Sequence, residues 1–284
     1  RLTILDILLC GRERTYIFDL KAFCLLSDLK VPKKVIDQLL DLTDEREISE
    51  AEMQELLKII FSDAKKGKNT RTRIMEAAAI ASYHRQTEIP VVNILLSDDA
   101  PQFKKLTAEH ALCWIHDGRH YNRLSPIVPF NVDELKKFKT RFWDYYGDLL
   151  KYKENPNSET AARLASDFDN LFSIKTGYDA LDDRIEKTRN KKEKLLLVLK
   201  YPWLPLHNNA SELGARVEKR RQDVSLQTKS VKGTEAKDSF LTITQTAKKL
   251  DINAYRYIYD RISKTFSMPP LADLILQNSL PQVE

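Results

Sequence analysis

Two places in this sequence carry carboxylates that could hold a divalent cation. Asp98 and Asp99 come directly after residues 91–97, a short apolar run rich in β-branched side chains that predicts a buried strand. Glu212 follows two asparagines and opens a segment with helical apolar spacing. Because a rigid strand end fixes the direction of its acidic side chains, carboxylates from these two places could converge on one metal ion.

Both places also have a purely structural interpretation. Residues 98–101 read Asp-Asp-Ala-Pro, which is ordinary turn chemistry. Asn209, three residues before Glu212, could cap a helix in the pattern of a capping box. Arg216 could then pair with Glu212 one helical turn further on. Spacing alone does not decide between a metal site and these local roles.

A second group of candidate ligands lies in residues 113–120. Cys113, His116 and His120 are three potential zinc ligands, but no fourth ligand is evident because the other cysteines are distant in sequence. The alternative is that Trp114 packs in the core, while His116 and Arg119 face a polyanion or the metal site. A Ser-His-Asp arrangement also stays open, although no nucleophile-elbow motif supports one.

Basic residues follow Glu212 closely and could bind phosphates. Arginine and lysine next to an acidic metal site suit phosphodiester chemistry, since they hold the flanking backbone of a nucleic acid. A solvated helix face would explain the same pattern. The residues that we assign to DNA binding are Arg216, Lys219, Arg220 and Arg221.

The composition favours a helix-rich soluble protein with a polyanionic partner. Of the 284 residues, 31% are charged, the formal net charge is +5, and only seven are glycine, with no glycine-rich phosphate loop. No apolar run approaches the ~20 residues that span a bilayer. Three widely spaced cysteines fit a reducing cytosol. We therefore expect a cytoplasmic protein without a membrane partner.

The order of patterns predicts an α/β core interrupted by helices. We expect three parts: residues 1–125 as the first part of the core, residues 126–203 as an all-α insertion, and residues 204–284 as the last part, with the final acid and basic helices. The individual elements expected are a strand at 16–18 and helices at 48–60, 73–83, 181–199, 239–249 and 254–262.

Three blocks in this order resemble the transposases of the insertion sequence 66 family. They are Leu-Ser-Asp-Asp-Ala-Pro-Gln-Phe at 96–103, Cys-Trp-Ile-His-Asp-Gly-Arg-His-Tyr at 113–121, and Leu-His-Asn-Asn-Ala-Ser-Glu at 206–212. The resemblance runs from about residue 91 to the C-terminus. It implies a ribonuclease-H-like catalytic core of the DDE type, with the helical unit as an insertion into it.

The resemblance also implies the chemistry and its residues. Asp98 would be the second acid and Glu212 the third, with Asp99 a weaker choice for the second, and Asn209, His116 and Arg119 in supporting roles. Two Mg²⁺ or Mn²⁺ ions would assist cleavage and strand transfer of DNA by in-line attack. The partners implied are transposon ends and target DNA, with assembly of copies on DNA and a nucleoid-associated location.

One part of the family pattern has no counterpart among these blocks. The first aspartate belongs on the first core strand, and the segment around Asp6 is more similar to a region downstream of that strand. We therefore expect the first acid to lie upstream of this chain, which would leave it incomplete for catalysis. The alternatives are a DNA-binding remnant without turnover and a helical interaction protein.

Overall fold

The protein is described from a computed structural model that covers residues 1–9, 11–61, 67–225 and 228–279. Cys10 lies outside the described residues. The chain divides into two compact units, Arg1–Asn208 and Asn209–Glu284. The further division of the first unit that we inferred from the sequence stays a prediction.

The first unit begins with five helices packed around one apolar core. Their ends follow local signals: Asp19 caps the second helix through Ala22, and Ser49 and Glu52 form a complete capping box on the fourth. The fifth helix is the centre of the core because its middle is made of small buried residues that let neighbouring helices approach closely. The five are α1 (Leu2–Leu8), α2 (Leu20–Asp28), α3 (Lys33–Leu42), α4 (Glu50–Ile60) and α5 (Lys68–Arg85).

The expected strand at 16–18 is reduced to a single bridge. Tyr16 pairs antiparallel with Ile48 through two backbone hydrogen bonds of 2.9 and 2.8 Å. The next amide, that of Ile17, donates to the carbonyl of Ala78 on α5 instead of to a second strand. The backbone is therefore held between two helices, and the ladder cannot continue. The prediction of a strand here was wrong.

The sheet of the described residues has two parallel strands, β1 (Ile94–Ser97) and β2 (Glu109–Leu112). Their register places Ser97 opposite Leu112. Between them the chain forms a short 3₁₀ turn at Pro101–Phe103. The helix-rich character expected from the sequence is confirmed, and the strand expected at 91–97 is present in its second half. Two paired strands do not by themselves define a ribonuclease-H-like core, which stays a prediction.

After β2 the first unit continues with helices around a second, aromatic core. Trp114 is fully buried, with its ring centroid within 5.6 Å of the centroids of Phe142 and Tyr145. Apolar residues at helical spacing direct one face of each helix to this core. The helices are α6 (Trp114–Asn122), α7 (Pro129–Glu154), α8 (Ser158–Phe172), α9 (Asp179–Arg189), α10 (Lys192–Leu195) and α11 (Leu197–Lys200).

The single helix expected at 181–199 is broken into α9, α10 and α11. The indole N–H of Trp114 donates to the carbonyl of Leu195 at 2.9 Å, so this carbonyl is satisfied by a side chain from another helix. The amide of Leu199 instead donates a hydrogen bond to the carbonyl of Leu196 at 2.9 Å, which closes a tighter turn than that of an α-helix. A tertiary hydrogen bond therefore replaces the local one, and the prediction of a continuous helix was wrong.

The second unit consists of helices in its described part. Ser230 and Asn253 cap the second and third of them by accepting backbone N–H groups, as their residue types favour. The helix expected at 254–262 is confirmed, and the one expected at 239–249 begins earlier. The four are α12 (Asn209–Val224), α13 (Val231–Lys249), α14 (Ala254–Ile262) and α15 (Leu271–Ser279). In neither unit is a described helix long and apolar enough to cross a membrane.

Candidate functional site

The end of β1 is fixed by a buried hydrogen-bonded pair. The hydroxyl of Ser97 donates to the carbonyl of Asp98 at 2.7 Å, and the Nε2 atom of His110 on β2 lies 2.7 Å from the same hydroxyl. Both side chains are buried, and burial lowers the pKa of His110, so its neutral ring donates from Nε2. The burial of Ser97 and its hydrogen bond to the carbonyl of Asp98 favour a structural role for this hydroxyl over a nucleophilic one. The pair holds the backbone from which Asp98 projects.

The two acids after β1 have different surroundings. Asp98 accepts the backbone N–H of Ala100 at 3.1 Å through Oδ1, and no salt bridge to it forms among the residues described. The carboxylate of Asp99 lies 3.0 Å from the ammonium of Lys104 and 3.0 Å from that of Lys191. Burial alone would raise the pKa of Asp99, but the hydrogen bonds from these lysines outweigh it and lower the pKa. Asp98 is consequently the acid more available to a cation.

A buried acid on α6, Asp117, connects this strand end to the helical region. Its side chain is only 4% exposed and binds the guanidinium of Arg184 on α9. Thr188, one turn later on α9, donates to the other carboxylate oxygen at 2.6 Å. Lys191 completes the group, with its ammonium 3.4 Å from Asp117 as well as 3.0 Å from Asp99. The two acids are thus joined through one lysine.

These groups line a cavity of about 590 Å³ in the first unit. Its lining carries acids and cations together, and burial lowers the pKa of His120 there, which favours the neutral ring. Lys187 also faces this cavity. The residues singled out in the sequence that line this cavity together are Asp98, Asp99, Cys113, His116 and His120.

Arg119 lies on α6, beside His116, which lines this cavity. Its Nη1 atom is 3.3 Å from Nε2 of His116, which places the two supporting residues side by side. Cys113 is buried beneath them. Among the described residues no group of three or more His, Cys, Asp or Glu side chains is arranged to hold a metal ion, so the zinc alternative gains no support from the geometry.

Sequence reasoning assigned no role to Asp117, Arg184 or Lys191. Asp117 lies inside the block at 113–121, but its burial cannot be read from its neighbours in sequence. Arg184 and Lys191 belong to a stretch of mixed charges that reads as a solvated helix. Their role becomes visible only when they are paired with Asp117, which lies more than sixty positions away in the sequence.

The remaining candidates lie on α12 in the second unit. The helix begins at Asn209, and the capping role of this residue stays a prediction. The carboxylate of Glu212 is 3.5 Å from the guanidinium of Arg216, the local pair that the spacing predicted. Because Glu212 and Asp98 belong to different units, their convergence on one metal ion stays a prediction.

The basic residues of α12 are partly paired within the helix. Lys219 lies 3.2 Å from Asp223, one turn later, and both side chains are solvent-exposed. Arg220 and Arg221 are exposed on the same helix. An exposed helix with several cations can approach a phosphate backbone without first breaking buried contacts.

Comparison with known proteins gives one informative match. The chain is 33% identical over 204 residues to "Uncharacterized protein y4jO" of Sinorhizobium fredii (strain NBRC 101917 / NGR234). The aligned part is 72% of this chain and 63% of that protein's length, so this chain corresponds to less than two thirds of its relative. No protein-family model matches the chain. No solved structure matches it either.

Proposed function

We propose that this chain is the catalytic region of a DDE-type DNA transposase, which cleaves and joins DNA strands with the help of divalent metal ions. The observation that carries the proposal is the position of Asp98. It stands at a fixed strand end, it is free of salt bridges among the described residues, and it opens into a cavity that also contains lysine and arginine side chains. The order of the three sequence blocks supports the same assignment.

Asp98 offers a carboxylate oxygen of the kind that a magnesium or manganese ion takes, although no group of three or more such ligands is assembled among the described residues. Mg²⁺ is commonly held by one or two carboxylates together with substrate phosphates. Asp98 uses one carboxylate oxygen for Ala100 and has the other to offer. Glu212 is the second carboxylate in this proposal. When bound, the ions would activate a water or a DNA 3′-hydroxyl and neutralise charge on the reacting phosphate.

The chain's other residues have roles in binding and orientation. The Ser97–His110 pair holds the backbone of Asp98, so the carboxylate is directed before any ligand binds. Exposed cations on α12, such as Arg220 and Arg221, would hold the phosphates of transposon ends or target DNA. Copies of the chain would assemble on DNA, since two transposon ends must be brought together for joining.

The proposal is tested by Mg²⁺-dependent nicking of supercoiled DNA by a version of the chain that also carries the first acid expected upstream, with DNA affinity measured in parallel. We expect Glu212→Gln and Asp98→Asn to abolish nicking and to leave the affinity within about twofold, because neither acid is assigned to phosphate binding. Asp223→Asn, which removes another acid of α12, is the matched control and should keep full nicking. Unchanged cleavage by the Glu212 variant would contradict the catalytic assignment.

A DNA-binding protein without turnover is the second candidate, and the exposure of Arg220 and Arg221 favours it. Such a protein would bind DNA with an affinity that falls steeply as salt is added. Removing each of these arginines should lower the slope of that dependence by about one. DNA binding with this salt dependence but no nicking by the version that carries the first acid would identify the second candidate, and absence of DNA binding at low salt would exclude both.

A further inference from the structure

The two adjacent acids after β1 differ in what a cation would have to displace. A cation that uses Asp98 meets a carboxylate with a single backbone hydrogen bond. A cation that uses Asp99 must first remove two lysine ammonium groups at 3.0 Å. The resemblance already ranks Asp98 above Asp99, and the lysines supply a physical reason for that order.

Lys191 is the better fixed of these two lysines. Its side chain is 18% exposed, whereas that of Lys104 is 40% exposed. Its ammonium is also anchored 3.4 Å from the buried carboxylate of Asp117, which Arg184 and Thr188 hold from the α9 side. An exposed ion pair such as that between Lys104 and Asp99 contributes little free energy and opens readily to solvent. Lys191 is therefore the lysine that controls whether the Asp99 carboxylate is available to a cation.

We propose that Lys191 is a positioning residue that withholds Asp99 from a divalent cation, so that Asp98 alone serves as the metal ligand from this strand end. The inference deepens the proposed function and rests on it for the identity of the ligand site. Lys191 follows α9 and Asn190 in the chain. The helical region, and not the strand itself, therefore determines which of the two acids a cation can use.

The test measures Mn²⁺ binding to the full chain by electron paramagnetic resonance, which needs no catalytic turnover. The central variant is Lys191→Gln. Its matched control is Lys187→Gln, which removes the same charge from the lining of the same cavity, at a side chain that forms no ion pair among the described residues. Asp99→Asn is measured alone and combined with Lys191→Gln, and Asp98→Asn is measured alone.

We expect Lys191→Gln to bind Mn²⁺ about tenfold more tightly than the wild type, because a second carboxylate becomes available. Lys187→Gln should gain about twofold or less, since it changes only a screened charge. Adding Asp99→Asn should remove the gain of Lys191→Gln, while alone it should change affinity by less than about twofold. These results together would establish that Lys191 controls Asp99.

The proposal is overturned if Lys191→Gln binds Mn²⁺ no more tightly than Lys187→Gln, including the case in which neither binds. It is also overturned if Asp99→Asn in the wild type costs as much affinity as Asp98→Asn. Replacing Lys191 leaves the buried Asp117 with one cation fewer, but this second comparison does not depend on the stability of the Lys191 variant. Circular dichroism spectra of all variants identify any that do not fold.

Failure of the proposed function gives a different result. If Asp98→Asn leaves Mn²⁺ affinity unchanged, the strand end loses its assigned ligand and the transposase proposal loses its main support. That result also overturns the assignment of Asp98 as the ligand, whereas control of Asp99 by Lys191 is decided separately, by the comparison of Lys191→Gln with Lys187→Gln and by its reversal with Asp99→Asn.

Discussion

The acids of the first unit and the acid of α12 are held in opposite ways. Asp117 pairs with Arg184, which lies 67 residues further along the chain, and it is almost completely buried. Glu212 pairs with Arg216, four residues later, at 3.5 Å, and its side chain is 19% exposed. One carboxylate depends on the tertiary structure of the whole first unit, and the other has a partner that its own helix provides. The variants below separate these two kinds of support.

The largest loss of stability is expected from the aromatic core beneath Asp117. Trp114→Ala removes a fully buried ring and the hydrogen bond to Leu195, so we expect it to cost about 3–5 kcal/mol of the free energy of unfolding. Trp203→Ala is the matched control, because that ring is 68% exposed, and it should cost less than about 0.5 kcal/mol. Urea unfolding followed by fluorescence measures both. Equal losses would mean that Trp114 does not organise this region.

The next effect concerns the buried charge itself. Asp117→Asn leaves Arg184 partly buried without its anion and removes one of the two anions beside Lys191, and we expect a loss of about 3 kcal/mol. Asp148→Asn, which removes an exposed acid paired with Lys151, should lie within about 0.5 kcal/mol of the wild type. A small loss for Asp117→Asn in urea unfolding would show that the network is not a stabilising tertiary contact.

A smaller and pH-dependent effect is expected at the capping box of α4. A backbone N–H of Ser49, then Arg46 and the hydroxyl of Ser49, lower the pKa of Glu52 from 4.5 to about 2. Because the pKa is lower in the folded state, the stabilisation is complete above pH 4.5 and is lost as the pH falls through about 2. Glu52→Gln should therefore lower the urea midpoint at pH 7 and differ less from the wild type at pH 3.

Glu55→Gln is the control for this pH effect. Glu55 lies on the same helix and pairs with Lys58 on the exposed face. Its substitution should change the midpoint little at either pH. A deficit of Glu52→Gln that does not shrink in acid would contradict the ionised capping box.

The smallest loss of stability is expected at Glu212. A charged pair four residues apart on a helix contributes about 0.3–0.5 kcal/mol, so Glu212→Gln, which breaks such a pair with the exposed Arg216, should be nearly as stable as the wild type. Asp223→Asn removes the comparable pair with Lys219 and should behave alike. Thermal unfolding of both variants measures this. A large loss only at Glu212 would show that its support is not confined to its helix.

Much of the local structure followed from the sequence alone. The capping box at Ser49 and Glu52, the helix at 254–262, the apolar run ending at Ser97 and the Glu212–Arg216 pair all depend on residues within a few positions of each other. Spacing and residue type are sufficient for such features, because their partners are adjacent in the chain.

Tertiary structure decided the rest. The break of the helix at 181–199 depends on the indole of Trp114, and the loss of the strand at 16–18 depends on a carbonyl of α5. The difference between Asp98 and Asp99 comes from Lys191, more than ninety positions away in sequence. The resemblance in the sequence already favoured Asp98 over Asp99, and the structure adds a physical difference, because a distant lysine pairs with Asp99 and a buried carboxylate holds that lysine. No pattern within a local window contains that information, because burial and long-range pairing exist only once the chain has folded.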